Sequence, residues 1–156
     1  MTDTVDMTGT KNEVGVLQWS DLLLLGHGAM DETHREFVEV VSRLQSAADD
    51  ELPECLPSVM AHLERHFCDE DQWMRETAYP AAECHIAEHA AVLASGRDVT
   101  AALARGNTAL CRRFADELAS WFPGHAGYLD APLSQWLSRT RFGAAPVVLK
   151  RRASMA

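Results

Sequence analysis

HFCDEDQWMRETAYPAAECHIAEH, residues 66–89, is the stretch on which the fold of this chain turns. His66 and Glu70 stand four residues apart, as do His85 and His89. On a helix that spacing puts both members of a pair on one face, their side-chain roots about 5–6 Å apart. Between the pairs, Tyr79-Pro80 ends one helix and opens the next, because proline has no N–H to donate and its φ already suits a first helical residue. The stretch predicts a helical hairpin with metal-ligating side chains on its inner wall.

Helical periodicity continues on both sides of the hairpin. Phe37, Val38, Val41, Leu44 and Ala48 predict a first helix, capped by Asp31 or Thr33. His34, one turn before Phe37 and Val38, faces its core side. The second helix is expected over residues 57–77, on the stripe Val59, Leu63, His66, Phe67, Glu70, Trp73, Met74 and Thr77. The third begins at Pro80, carries Ile86, His89, Val92, Leu93, Val99 and Leu103 inward, and stops at Arg105-Gly106, with Gly96 as a candidate bend. The fourth, capped by Asn107 or Thr108, buries Leu110, Phe114, Leu118, Trp121, Phe122 and His125.

Pro123 implies a kink near the end of that helix. Asp130 lies five residues beyond His125, about 140° round an ideal helix, so the two share a site only if the backbone between them is distorted. Pro123, Gly124, Gly127 and Pro132 favour such a distortion. A short helix follows over residues 133–137. Strand signals are absent, and the expected fold is all-α, an antiparallel up-and-down four-helix bundle over residues 19–138. Residues 1–18 read as an N-terminal arm on which Trp19 borders, and residues 139–156 as a basic tail.

Composition bounds the function. With 156 residues, 47% hydrophobic and 24% charged, the chain suits one globular core that buries about 68–70% of its unfolded surface. The net charge is −9, and residues 139–156 hold Arg139, Arg141, Lys150, Arg151 and Arg152 with no acid, leaving −14 for residues 1–138. So acidic a domain repels nucleic acid. The polar start is unlike a signal peptide, and Leu22 to Leu25 are too few apolar residues to cross a membrane. Four cysteines (Cys55, Cys68, Cys84, Cys111) without C-x-x-C spacing suggest reduced thiols in a cytoplasm. Cys68 and Cys84 are read as small packing residues.

The polar residues on apolar stripes are His34, His66, Glu70, His85, His89 and His125, with Asp130 nearby, and every helix supplies at least one. One histidine on an apolar face is ordinary core chemistry. Five, joined by two carboxylates, are hard to satisfy without metal. Imidazole and carboxylate without thiolate suit iron, zinc, manganese or copper, and seven ligands exceed the needs of one ion. Two ions fit, with the two-oxygen carboxylates of Glu70 and Asp130 as bridges and the histidines as terminal ligands. An unequal share of histidines leaves one ion an open position for a small molecule.

The neighbours divide less sharply. His62, at the edge of its stripe, is read as a partly exposed residue, with a hydrogen bond near the site or a surrogate ligand role as the alternatives. His27 reads as a turn or packing residue, and Asp69 and Asp71 as solvated charges. Phe37, Phe67, Trp121 and Phe122 could line the pocket, and plain core packing accounts for them equally well.

The pattern resembles the hemerythrin family, in particular its single-domain bacterial members. The matching pieces are Trp19, GHGAMDETHREF at 26–37, HLERHFCDEDQWM at 62–74, YPAAECHIAEH at 79–89 and WFPGHAGYLD at 121–130. The resemblance implies two iron ions joined by an oxo or hydroxo group, one held by His85, His89 and His125, the other by His34 and His66, with Glu70 and Asp130 bridging. It further implies reversible dioxygen binding at the iron on His34 and His66, for oxygen storage, delivery or sensing. One departure is Ala126, where a bulky aliphatic residue usually follows the ligand histidine. That exchange predicts a wider pocket and faster autoxidation.

Two other functions compete. A di-iron enzyme, such as a ferroxidase or a consumer of peroxide or nitric oxide, could use the same centre, but bundle di-iron enzymes commonly employ four carboxylates and two histidines. A regulatory module reporting iron or oxygen would need a separate signalling partner. Dioxygen, a monomer or weak oligomer, and neither nucleic acid nor membrane complete the expectations.

Overall fold

Helix boundaries follow from a few local choices. Asn107 accepts a hydrogen bond from the Leu110 N–H at 3.0 Å and so opens one helix, while Gly106, at φ 89°, closes the helix before it. The computed structural model describes residues 14–141. Its helices are α1 (Gly28–Ser46), α2 (Leu52–Glu76), α3 (Ala82–Ala104), α4 (Thr108–His125) and α5 (Ala131–Arg141). A 3-10 turn (Asp21–Leu23) precedes α1, and a π-helical turn (Ala126–Asp130) joins α4 to α5. Among the described residues there is no strand, and no helix is long and apolar enough to cross a membrane.

Each of α1 to α4 packs on its neighbours in sequence, and α4 closes back on α1. With connectors confined to 47–51, 77–81 and 105–107, that arrangement is the expected four-helix bundle. Residues 14–18 have no regular structure. The Leu17 N–H donates to Gln45 Oε1 at 2.8 Å, which fixes this strand of chain to α1. Trp19 packs against the core and carries the Arg35 guanidinium 4.7 Å over its ring. The remainder of the expected arm, residues 1–13, and the tail at 142–156 lie outside the described residues.

Four local expectations are corrected. Helix α1 is capped by His27, whose Nδ1 accepts from the Met30 N–H at 3.3 Å. Asp31 instead turns its carboxylate back to the Leu25 and Gly26 N–H groups at 2.8 and 3.1 Å, and Thr33 donates to the Ala29 carbonyl. Helix α2 starts at Leu52, ahead of Pro57. Pro53 sits where an N–H would be unpaired anyway, and burial of Leu52 and Leu56 offsets the single bond that Pro57 cannot make.

Helix α3 begins at Ala82, two residues beyond Pro80, and runs without a break through Gly96. A Cβ at Gly96 would stand 2.4 Å from Met60 Sδ and 2.7 Å from Met60 Cε. The glycine is therefore a place of close approach between α2 and α3. Helix α5 is longer than residues 133–137 and includes Arg139 and Arg141, the first two charges assigned to the tail.

The apolar core has two parts. The larger unites Phe37, Val41, Leu44, Leu56, Leu63, Phe67, Phe114, Leu118 and Phe122, among others. The smaller is Met30, Met74 and Leu133, with Trp73, Tyr79, Ile86 and Trp136 partly buried against it. Along α1, α2 and the final segment, His34, Glu70 and Asp130 fall between one cluster and the other. A polar layer is thus sealed at both ends by hydrocarbon.

Candidate metal centre

Every helix of the bundle turns one or two donors into that layer. His34 comes from α1, His66 and Glu70 from α2, His85 and His89 from α3, His125 from α4 and Asp130 from the π-helical turn. None is more than 3% exposed. The i, i+4 spacing aligns the pairs on α2 and α3, as their sequence requires. Asp130 arrives by another route. The Ala131 N–H donates to the Ala126 carbonyl, five residues back, and this wider turn returns Asp130 to the face that His125 occupies.

The two carboxylates divide their oxygens between two groups of histidines. Glu70 Oε1 lies 2.9 Å from His66 Nε2 and 3.7 Å from His34 Nε2. Its other oxygen, Oε2, lies 3.3 Å from His89 Nε2 and 3.6 Å from His85 Nε2. Asp130 repeats the division, with Oδ2 3.0 Å from His34 Nε2, and Oδ1 3.0 Å from His85 Nε2 and 3.1 Å from His125 Nε2. Two sets of mutually close donor atoms result, one from Glu70, His85, His89, His125 and Asp130, the other from His34, His66, Glu70 and Asp130. Within each set the atoms lie within 4.8 Å of one another.

Hydrogen bonding alone leaves this layer unsatisfied. Among the described residues, both ring nitrogens of His34 and His85, both oxygens of Asp130 and Glu70 Oε2 are buried without a correctly directed partner, although several are only 3.0 Å from one another. Short distances without the N–H···O direction of a hydrogen bond mark groups that converge on a common point. His89 Nε2 and His125 Nε2 face each other at 3.2 Å, while the Nδ1 atoms of the same rings lie beside carboxylates of Asp71 at 2.7 Å and Glu88 at 3.2 Å. A neutral imidazole that donates through Nδ1 has only a lone pair at Nε2. If both rings carry their proton on Nδ1, the two Nε2 atoms are both acceptors, a pair that a cation can satisfy.

The charges agree. Burial opposes protonation of His34, but the Asp130 and Glu70 carboxylates outweigh it and push its pKa up to about 9. His85 follows for the same reasons, also to about 9. Burial would raise Glu70 and Asp130, yet the surrounding histidines hold both below the usual carboxylate range. Protons on histidine thus supply positive charge to a buried anionic pair. A metal cation at the same place supplies it more fully, and the donor set of imidazole and carboxylate suits a first-row transition metal.

The seven sequence-predicted site residues therefore come together, and several of their neighbours differ from expectation. His62 is buried at 2% exposure, edge-on to the His66 ring at 5.2 Å, with Nδ1 3.6 Å from Glu36 Oε2. Burial, followed by the nearby His66, lowers its pKa to about 4. Tight closure of α1 on α2 hides it, which corrects the reading of His62 as partly exposed. Asp71 is not simply solvated, because it reaches His89, and Glu88 likewise escaped notice beside His89 in the sequence. Acids flanking a ligand pair, on the side turned toward the adjoining helix, were the available signal for both.

Cys68 and Cys84 are exposed, contrary to the packing role expected of them, whereas Cys111 is buried. His27 is the cap described above and lies 5.5 Å from the Trp73 ring. Phe37, Phe67 and Phe122 are buried, and Trp121 is partly so. Phe122 meets His34 edge-on at 5.1 Å and stacks on Phe37 at 4.3 Å, and Phe67 stacks on His89 at 4.1 Å. Ala126 is 2% exposed and joins the larger core cluster.

Residues 25–130 match the Hemerythrin HHE cation binding domain. The chain is 36% identical over 124 residues to a protein named bacteriohemerythrin from Ralstonia nicotianae, covering 80% of this chain and 90% of that protein. A protein of the same name from Stenotrophomonas maltophilia is 25% identical over 150 residues, covering 81% of this chain and 96% of the relative.

Proposed function

The chain belongs to the hemerythrin family, and on that premise we propose that it binds dioxygen reversibly at a non-heme di-iron centre. His85, His89 and His125 would hold one iron, His34 and His66 the other, and Glu70 and Asp130 would bridge the two. The observation that carries this reading is the division of each carboxylate, one oxygen toward each group of histidines. A reduced iron pair supplies electrons and an open coordination position for a diatomic ligand.

The protein's contribution is to keep that position dry and fixed. On the side with two histidines, Phe37 and Phe122 form a stacked wall against His34, and Phe67 lies 5.2 Å from His66. An apolar wall excludes water and any proton donor that would expel the bound ligand. Asp31, a buried acid at the start of α1, accepts from two backbone N–H groups. Binding without turnover is therefore the better reading of five histidines with two carboxylates.

The test is to load the protein with ferrous iron, count metal per chain, admit air and follow the visible spectrum through repeated deoxygenation. Two iron ions per chain and a visible absorption that comes and goes with dioxygen are expected. One ion or none would sink the di-iron reading. Irreversible oxidation coupled to consumption of a co-substrate would transfer the centre to the enzymes.

A further inference from the structure

Two carboxylates outside the seven stand behind histidines of the same group. Asp71 Oδ1 is 2.7 Å from His89 Nδ1. Glu88 Oε1 is 3.2 Å from His125 Nδ1 and also accepts from Trp121 Nε1 at 2.7 Å, while the Trp121 ring stacks on His125 at 4.3 Å. The Nδ1 atoms of His34, His66 and His85 are buried and meet no comparable partner among the described residues. Anionic support thus falls on the group of three histidines and not on the group of two.

We infer that Asp71 and Glu88 are positioning residues that hold His89 and His125 with Nε2 bare and inward, and that they make the three-histidine metal position the more electron-rich of the two. A carboxylate only accepts, so the imidazole opposite it must keep its proton on Nδ1. That fixes the tautomer, fixes the ring plane and strengthens Nε2 as a donor. Glu88 does this for two rings at once. By anchoring the indole N–H it keeps Trp121 flat on His125, where the indole shields the ligand from the cleft of about 290 Å³ between α3 and α4 that Val92, Phe114 and Leu118 line.

This assignment rests on the two-iron reading, and its test separates the two. Wild type, E88Q, E88A and D71N are compared as full chains. Glu88 and Asp71 are 38% and 18% exposed, so the amide variants should fold as wild type does. In iron-free protein the Trp121 indole N–H resonance should shift in E88Q and further in E88A, and stay in place in D71N. In iron-loaded protein E88A should hold iron roughly 10- to 100-fold more weakly against a chelator. E88Q and D71N should retain two irons with a raised reduction potential at unchanged melting temperature, a change that a purely structural role would not produce. Wild type with two irons, beside variants identical to it in resonance, retention and potential, overturns the assignment alone. Wild type that takes no iron overturns the two-iron reading and this assignment with it.

Discussion

His125 Nε2 and Asp130 Oδ1 lie 3.1 Å apart although five residues separate them along a continuous run of helix. An α-helix would place them about 140° apart. The π-helical turn at Ala126–Asp130 absorbs one residue more per turn and brings Asp130 round to its partner.

Deleting Gly127 should therefore convert the wide turn to an ordinary one that leaves Asp130 four residues after His125, about 40° from alignment and still on the same face. Helix content should persist, because Gly127 has open space around the position of a Cβ and packs nothing. Metal analysis is expected to give two ions per chain in the deletion variant and fewer in D130A. Loss of the ions in the deletion variant at unchanged helix content would refute the role given to the turn.

Ligand variants should separate by group. H34A removes a donor from the smaller set only, so retention of one ion on His85, His89 and His125 is expected. E70A removes an oxygen from both sets and should lose both ions. Equilibrium dialysis with ferrous iron reads the difference, and equal losses in the two variants would argue against separate sets.

Stability of the iron-free protein should peak near pH 6.5. His34 and His85 are raised from 6.5 to about 9, so their contribution is complete below 6.5 and disappears as pH rises through 9. His62 is lowered from 6.5 to about 4, so the unfolded chain gains a proton that the folded chain refuses, and stability falls as pH drops through that interval. Below it, protonation of Glu70 and Asp130, both depressed, removes more. Metal uptake displaces the protons on His34 and His85, so iron affinity should rise over the alkaline interval in which the iron-free protein weakens. Thermal melts across pH, with and without iron, measure both trends.

Gly96 and Met60 should be coupled. In wild type, G96A gains about 0.5–1 kcal/mol of helix preference but forces Met60 aside at an overpacking cost of about 1–3 kcal/mol, so net destabilisation is expected. With M60A only Phe114 Cζ, at 3.3 Å, still crowds the position, and the same G96A change should cost much less than in wild type. A double-mutant cycle on melting temperature measures that coupling, and additive effects would contradict the close approach.

The helical class, the bundle and most of the donors were already legible in residues 66–89 and their flanking stripes. Periodicity reports which face of a helix is apolar, and a histidine or glutamate on that face is conspicuous because burial without a partner is costly. Four of the seven donors sit in i, i+4 pairs, and His34 and His125 lie one turn from Phe37 and Trp121 on stripes that only a helix makes contiguous. The wide turn that Asp130 needs was readable as a requirement, since Pro123, Gly124 and Gly127 weaken an ordinary helix there, but its form was not.

Tertiary structure decided the rest, because those properties arise between helices. The division of Glu70 and Asp130 oxygens between two groups depends on the depth to which α1, α3 and α4 approach α2. The burial of His62, the reach of Asp71 and Glu88 across to neighbouring histidines, and the exposure of Cys68 and Cys84 follow from how each helix is rotated about its axis. A single helix's sequence marks its apolar face to within about a hundred degrees. Which flanking residue touches the next helix is set within that margin by packing of the partners.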